Sequence, residues 1–293
     1  MDCQGRSLAR LDGVVAVVTG ATRGIGRPVA ERLAALGARV VLPVRNSAQG
    51  ELVAEAIQQR NGHAEVVRAD LASLVSVRSA AEDIARRHPR IGLLINNAGI
   101  ITRRREVTAD GLERQFAVNH LAAFLMTLRL VDALRAGAPA RIVNVSSGAH
   151  AGQRLEFDDL MSERDYRRDR VYGQTKLANI LFTHELARRL EGSGVTANAV
   201  HPGVVATGLL SDYLGMPAGR RSFGITPERG AEPILYLAAS PEVAGISGHY
   251  FDRCTETRSS AASYDEAAAR RLWEESIWLL RRGVGASVPG ELL

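Results

Sequence analysis

The chain has 293 residues, 46% of them hydrophobic and 24% charged, with a formal net charge of +5. That apolar share is ample for a large buried core and excludes a disordered or fibrous chain. The basic residues are scattered, aromatics reach only 5%, and no basic helix or zinc spacing occurs, so nucleic acid is excluded as a partner and an anionic cofactor suits the mild basic excess better.

Residues 1–12 carry Asp2, Arg6, Arg10 and Asp12 without an apolar core, so they read as a short N-terminal extension and not a signal peptide. Cys3 and Cys254 are far apart, with neither metal nor disulfide-framework spacing, which fits a reducing cytoplasm. Residues 14–19 (VVAVVT) form a continuous β-branched run of the kind buried in a parallel sheet. A glycine-rich turn follows, then a helix over 25–36 that stops at Gly37 and tolerates Pro28 in its first turn. Residues 39–44 (RVVLPV) make the second strand, where Pro43 is expected only near an edge or a strand end.

A helix over 47–60, a strand over 64–68 and a helix over 73–88 come next, the last closed by Pro89. Then come a strand at 91–96 (IGLLIN), a long helix at 110–135 and a strand at 141–145 (RIVNV). The apolar stretch 121–134 is interrupted by Arg129 and falls short of a membrane span. A charged segment, 148–170, precedes a helix running to residue 190 and a strand at 195–200. A Gly/Pro-interrupted loop covers 203–225, followed by a helix at 227–239, a short strand near 249–251 and an amphipathic helix at 265–281. Repeated βα units predict an α/β fold over residues 13–293: a single-domain, Rossmann-type doubly wound parallel sheet with helices on both faces.

The first turn, TGATRGIG at residues 19–26, joins a strand to a helix. Gly20, Gly24 and Gly26 allow a tight turn, and the backbone from Thr22 and Arg23 to Ile25 can approach a pyrophosphate at the helix N-terminus. Asp70, with Leu71 beside it, either hydrogen-bonds an adenine edge or caps the helix beginning near Ser73. The second strand ends Pro43-Val44-Arg45-Asn46, with no carboxylate to hold a ribose 2′-OH. Arg45, with Arg23 closing from the glycine turn, offers cations for a 2′-phosphate instead, which favours NADP(H) over NAD(H).

Of the 37 lysines and arginines only Lys176 is a lysine, and it lies four residues after Tyr172 in YGQTK. On a helix those two stack on one face about a turn apart. A free tyrosine has a pKa near 10, and an adjacent cation should pull it toward the working range of a general acid/base. A compact ammonium can itself exchange a proton, whereas a guanidinium cannot. The plainer reading is a surface helix bearing an ordinary tyrosine and lysine.

These motifs together resemble the short-chain dehydrogenase/reductase family: TGATRGIG (19–26), NNAG (96–99), VNVSS (143–147), YGQTK (172–176) and HPGVVAT (201–207), in the family's order. Stretches such as DLASLVSVR (70–78), VNHLAAFLMT (118–127) and QTKLANILFTHELARRL (174–190) are most similar to its retinol-dehydrogenase-like group. The resemblance implies Tyr172 as general acid/base and Lys176 as the group that lowers its pKa and binds the nicotinamide ribose. It implies Ser147 as holder of the substrate oxygen and Asn119 as the site of a water relay. Asn97, Ala98 and Gly99 would line the adenosine side, and Pro202, Gly203, Val205 and Thr207 would close over the nicotinamide. Ser146 competes with Ser147, since alternation at a strand end leaves open which hydroxyl points inward.

Membrane-bound retinol dehydrogenases often begin with an apolar anchor, and the start of this chain has none, which argues against a retinoid substrate. Segment 148–170 reads as a solvated flap more than a gate. His150 and His201 read as structural, no metal site is expected, and the arginines at 103–105 read as a solvated loop. Leu272, Trp273, Ile277, Trp278 and Leu280 give the last helix an apolar face for core or subunit packing, with an interfacial membrane helix as the lesser reading. Leu209, Leu210, Tyr213, Leu214 and Phe223 suggest a bulky hydrophobic carbonyl or secondary alcohol as substrate. The expected protein is a cytoplasmic NADP(H)-dependent oxidoreductase, a homodimer or homotetramer built through helices 110–135 and 172–190. The alternatives are a catalytically silent dinucleotide-binding regulator and a sugar-nucleotide epimerase or dehydratase.

Overall fold

The computed structural model describes residues 5–216 and 223–284. Cys3, the start of the N-terminal extension, part of the 203–225 loop and residues 285–293 lie outside the described residues. The elements are β1 (Val15–Val18), α1 (Gly26–Ala35), β2 (Arg39–Val44), α2 (Ser47–Gln58), β3 (His63–Arg68), α3 (Leu74–Arg87) and β4 (Leu93–Asn96). They continue with α4 (Arg114–Phe116), α5 (Ala122–Ala136), β5 (Ala140–Val145), α6 (Arg168–Arg189) and β6 (Val195–His201). The chain then gives α7 (Gly208–Tyr213), α8 (Pro227–Ala239), β7 (Tyr250–Asp252), β8 (Thr255–Glu256) and α9 (Glu266–Val284).

The strands form one sheet in the order β3-β2-β1-β4-β5-β6-β7-β8. All neighbours run parallel except β7, the short strand expected near 249–251, and β8, a two-residue antiparallel partner that the sequence did not signal. Alternate residues of β1 feed opposite faces: Val17 joins a core with α3, α5, α6 and α9, while Ala16 and Val18 join another with α1, α2 and α8. The order reverses between β1 and β4, and a crevice at that switch point is where such sheets take ligands.

Pro43 is not at an edge, because β2 lies between β3 and β1. The β1–β2 ladder ends at Val17↔Val41, while β3 stays paired past Pro43. The missing N–H therefore falls where no ladder to β1 remains.

The long helix begins at Arg114, four residues later than its apolar pattern predicted. Glu113 stops it there: its carboxylate accepts from Gln115 N at 3.0 Å and Phe116 N at 2.7 Å. Asp110 is used elsewhere, accepting from Leu74 N at the start of α3. Between α4 and α5 the helix passes through a π-helical turn at Ala117–Leu121. The run Arg114–Ala136 is long and apolar enough to cross a membrane, but 83% of its apolar window is buried inside the fold, as befits a core helix. Arg129 sits at its margin, 3.2 Å from Glu82.

Helix α9 settles onto α6 and α3. Leu272, Trp273, Ile277 and Leu280 are buried, Trp273 stacks edgewise 4.8 Å from Phe124, and the Arg189 guanidinium lies 4.3 Å over its ring. Trp278 faces outward at 50% exposure. Both helices that the sequence offered for subunit contacts are thus largely buried in their own chain, partly beneath α9. Cys254 is buried and disulfide-bonded, a departure from the expectation of two unlinked cysteines.

Candidate active site

At the end of β1 the glycine turn is tied to the end of β4. Asn97 Nδ2 donates to Thr19 O at 2.9 Å, and Thr19 Oγ1 accepts from the backbone N of Asn97 and of Ala98. A methyl on Gly26 would lie 2.2 Å from Gly20 O, so only glycine lets the turn fold back so closely. The N-cap of α1, Ile25, supplies no side-chain hydrogen bond. The first N–H groups of α1 are therefore left for another acceptor, and a pyrophosphate fits that role. Opposite, a methyl on Gly24 would meet Thr207 Cγ2 at 3.5 Å, so the glycine turn faces the start of α7.

Four catalytic candidates converge one layer deeper. Tyr172 and Lys176 lie on the same face of α6, 6% and 2% exposed, with Nζ 5.6 Å from the phenol ring centre. The Ser147 side chain acts on the Tyr172 phenol and favours its ionised form. Gly173 makes that approach possible, since a Cβ there would strike Ala149 O at 2.5 Å. The competing serine points inward: Ser146 Oγ donates to Lys176 O at 2.8 Å and is 2% exposed. Asn119 sits in the π-helical turn, a feature that often marks functional sites. Its side chain accepts from Ile100 N and donates to Thr175 Oγ1, whose hydroxyl donates in turn to Tyr172 O at 2.7 Å. A methyl on Gly99 would lie 3.3 Å from Lys176 Nζ and 3.7 Å from Asn119 Oδ1.

The electrostatics differ from the sequence expectation. Burial pushes the Tyr172 phenol up to about 12; the Ser147 side chain opposes this, and Tyr213 adds to it. Burial pushes Lys176 down to about 8. The lysine does not draw the tyrosine toward neutrality, because removing both groups from water outweighs their attraction at this separation.

Arg23 and Arg45 are exposed, and neither pairs with a carboxylate among the described residues. Asp70 is not the cap of α3; Ser73 is, accepting from Ser76 N, while Asp70 Oδ1 accepts from Ala72 N and stays half-buried, with Leu71 also partly covered. Pro202 and Val205 are buried, Gly203 has φ +92, and Thr207 caps α7.

Segment 148–170 is not a solvated flap. Leu155, Phe157, Leu160 and Met161 pack against the core, and Arg105 Nε donates to Met161 O at 2.9 Å. Tyr166 OH lies 2.6 Å from Thr102 Oγ1 and 2.7 Å from Gln115 Nε2, pinning the segment to the loop after β4. His150 holds the other side, its Nδ1 2.7 Å from Ser147 O and its Nε2 accepting from Ser260 N. Tyr213 of α7 rests edgewise on Tyr172, ring centres 5.8 Å apart, a contact the sequence placed only as pocket lining. Among the described residues no group of three or more His, Cys, Asp or Glu could hold a metal.

A sequence profile described as short chain dehydrogenase matches residues 14–214. The chain belongs to the short-chain dehydrogenase family.

Within the family it is retinol-dehydrogenase-like. It is 42% identical to retinol dehydrogenase 14 of Mus musculus over 286 residues, covering 91% of this chain and 85% of that one. To retinol dehydrogenase 11 of Homo sapiens it is 44% identical over 279 residues, covering 94% and 88%. Among solved structures, an uncharacterized protein from Mycobacterium paratuberculosis superposes with a TM-score of 0.80 at 33% identity, covering 96% and 97%. A protein described as an NAD(P) dependent gluconate 5-dehydrogenase from Beutenbergia cavernae, with NADP bound, gives 0.68 at 32% identity, covering 83% and 95%. Short-chain dehydrogenases use a nicotinamide dinucleotide, and the uncapped glycine turn of this chain suits one.

Proposed function

We propose that this chain is an NADP(H)-dependent oxidoreductase that interconverts a carbonyl and an alcohol on a bulky hydrophobic substrate, with Tyr172 as general acid/base. One observation carries the reading. Buried Tyr172 and the chain's single lysine share one face of α6, with Asn119 held to that helix through Thr175 and Ser147 acting on the phenol, next to a glycine turn with an uncapped helix.

The dinucleotide supplies the hydride when bound. Backbone groups of Gly20, Thr22, Gly24, Ile25 and Gly26 would hold its pyrophosphate, and Arg23 and Arg45 its 2′-phosphate. Asp70, Leu71, Asn97, Ala98 and Gly99 would flank the adenosine, and Pro202, Gly203, Val205, Thr207 and Lys176 the nicotinamide end.

Each catalytic side chain then has a distinct task. The Ser147 hydroxyl donates to the substrate oxygen and holds it beside the phenol. Tyr172, kept protonated at neutral pH by burial, gives its proton to that oxygen as negative charge develops there. The phenol O–H breaks as the alcohol O–H forms, and the phenolate is reprotonated from the Lys176 side. With its affinity lowered to about 8, Lys176 can exchange a proton near neutrality. Asn119 holds Ile100 and Thr175, and through Thr175 the backbone of Tyr172.

Leu209, Leu210 and Tyr213 on α7 offer an apolar wall, and relatives named for retinol support an elongated apolar substrate. The test is NADPH absorbance across hydrophobic aldehydes and ketones, retinal among them, with NADH in parallel. Consumption of NADPH at a rate at least about tenfold above NADH is expected. A chain that binds NADPH yet turns over nothing in the panel would be a regulatory dinucleotide binder instead.

A further inference from the structure

β5 ends at Val145, and the chain turns out of the sheet at Ser147. Residues Gly148–His150 form a 3₁₀ turn capped by Ser147, whose Oγ accepts from Ala149 N at 3.2 Å. That bond occupies the oxygen as an acceptor and leaves the hydroxyl's own hydrogen to be given elsewhere. The Ser147 carbonyl closes the same turn twice. It accepts from His150 N at 3.1 Å, and His150 Nδ1 lies 2.7 Å from it.

The far side of the imidazole fixes the roles in that second contact. His150 Nε2 lies 3.3 Å from Ser260 N, and a backbone N–H can only donate. Nε2 is therefore the lone-pair nitrogen, so the proton of the neutral ring sits on Nδ1 and is given to Ser147 O. His150 is 4% exposed, and burial holds its proton affinity below the ordinary value, which keeps the ring neutral at pH 7. Tyr250 of β7 sets the ring plane, edge-on with centroids 5.1 Å apart.

The turn is also clamped from both flanks. A Cβ on Gly173, next to Tyr172 on α6, would strike Ala149 O, and a Cβ on Gly148 would lie 3.3 Å from His201 Nε2. An apolar side chain at 150 could fill the space against Tyr250 equally well. Only one with a donor at the Nδ1 position closes the turn a second time.

We propose that His150 is a positioning residue for Ser147: Ser260 and Tyr250 aim its Nδ1–H at the Ser147 carbonyl, and this second closure of the turn fixes the direction of the Ser147 hydroxyl. The loop between β8 and α9 thus reaches the site through one imidazole. The catalytic consequence rests on the role proposed above for Ser147; the tautomer and its hydrogen bond do not.

The experiment labels the histidine rings of the full chain with nitrogen-15 and identifies the His150 signals by their absence from His150→Asn. At pH 7 the wild type is expected to show a protonated Nδ1 and a bare Nε2. Kinetics with NADPH and a hydrophobic carbonyl follow, with urea unfolding to show that each variant is folded. His150→Phe keeps a ring without nitrogens and should lower kcat about tenfold, leaving KM for the carbonyl and Kd for NADPH little changed. His150→Asn puts an amide N–H where Nδ1 stands and should restore most of that loss. Ser260→Pro, at a φ of −64 that proline adopts, removes the N–H facing Nε2 and leaves His150 in place. Its ring proton should divide between the two nitrogens, with kcat down about threefold, which decides the matter where His150→Phe does not fold. A bare Nδ1 or an imidazolium in the wild type at pH 7 overturns the proposal, as does equal kcat in His150→Phe and His150→Asn. The ring signals need no turnover, so failure of the oxidoreductase reading and failure of this one are seen separately.

Discussion

Lys176 Nζ stands 5.6 Å from the centre of the Tyr172 ring, one turn along α6, yet burial and not their mutual charge sets both proton affinities. Lys176 is held below its ordinary value of 10.5, near 8, so the fold disfavours its charged form. Below pH 8 the lysine is charged in both folded and unfolded chains and the full penalty is present; it fades as pH rises from 8 to 10.5. Lys176→Met is therefore expected to stabilise the fold by about 2–3 kcal/mol at pH 7 while abolishing turnover. Urea unfolding at pH 7 and pH 10 checks this, and the gain should shrink at the higher pH. Equal stability of the two proteins at pH 7 would mean that the lysine carries no burial penalty.

The same two affinities give a pH profile for reduction. Tyr172 stays protonated to about 12, so the acid form is present throughout the usual range. Lys176 loses its proton near 8. The kcat/KM for carbonyl reduction should be level through pH 7 and fall above about 8. A profile that instead rises through pH 9 would assign the titrating group differently.

Arg45 ends the second strand exposed and without a carboxylate partner. Arg45→Asp should raise the Kd for NADPH by at least about tenfold and leave NADH binding unchanged or tighter. Fluorescence titration with both dinucleotides measures it. Equal losses for the two would move the 2′-phosphate site elsewhere.

Tyr166 anchors the 148–170 segment through one hydroxyl shared by Thr102 and Gln115. Tyr166→Phe strands a buried Gln115 Nε2 and is expected to lower stability by about 1–2 kcal/mol. Proteolysis within 151–167 should quicken more than elsewhere. An unaltered cleavage pattern would show that the apolar contacts of Phe157, Leu160 and Met161 hold the segment alone.

Much of this was legible before any coordinates. The β-branched run of β1, the glycine turn and the Tyr172–Lys176 spacing depend on local periodicity, which sequence displays directly. The start of the long helix was not legible, because the choice between Asp110 and Glu113 as its cap turns on Asp110 being drawn to Leu74 N, 36 residues away. Pro43 stands near a strand end, one of the two places its sequence allowed, but that the ladder to β1 stops before it was not legible. The lysine's effect on the tyrosine was misjudged because spacing reveals proximity and not burial. Tyr213 on Tyr172, Tyr166 on Thr102 and Ser276 on His120 join residues 41, 64 and 156 positions apart. No periodicity records such pairs.

The most direct test of the account is the effect of Tyr172→Phe on turnover of a carbonyl that the wild-type chain reduces, with NADPH binding measured on the same preparation. Removing one buried hydroxyl should leave NADPH affinity intact and lower kcat by about a hundredfold or more. A variant that binds NADPH and reduces the carbonyl at the wild-type rate would contradict the assignment of Tyr172 as the proton donor.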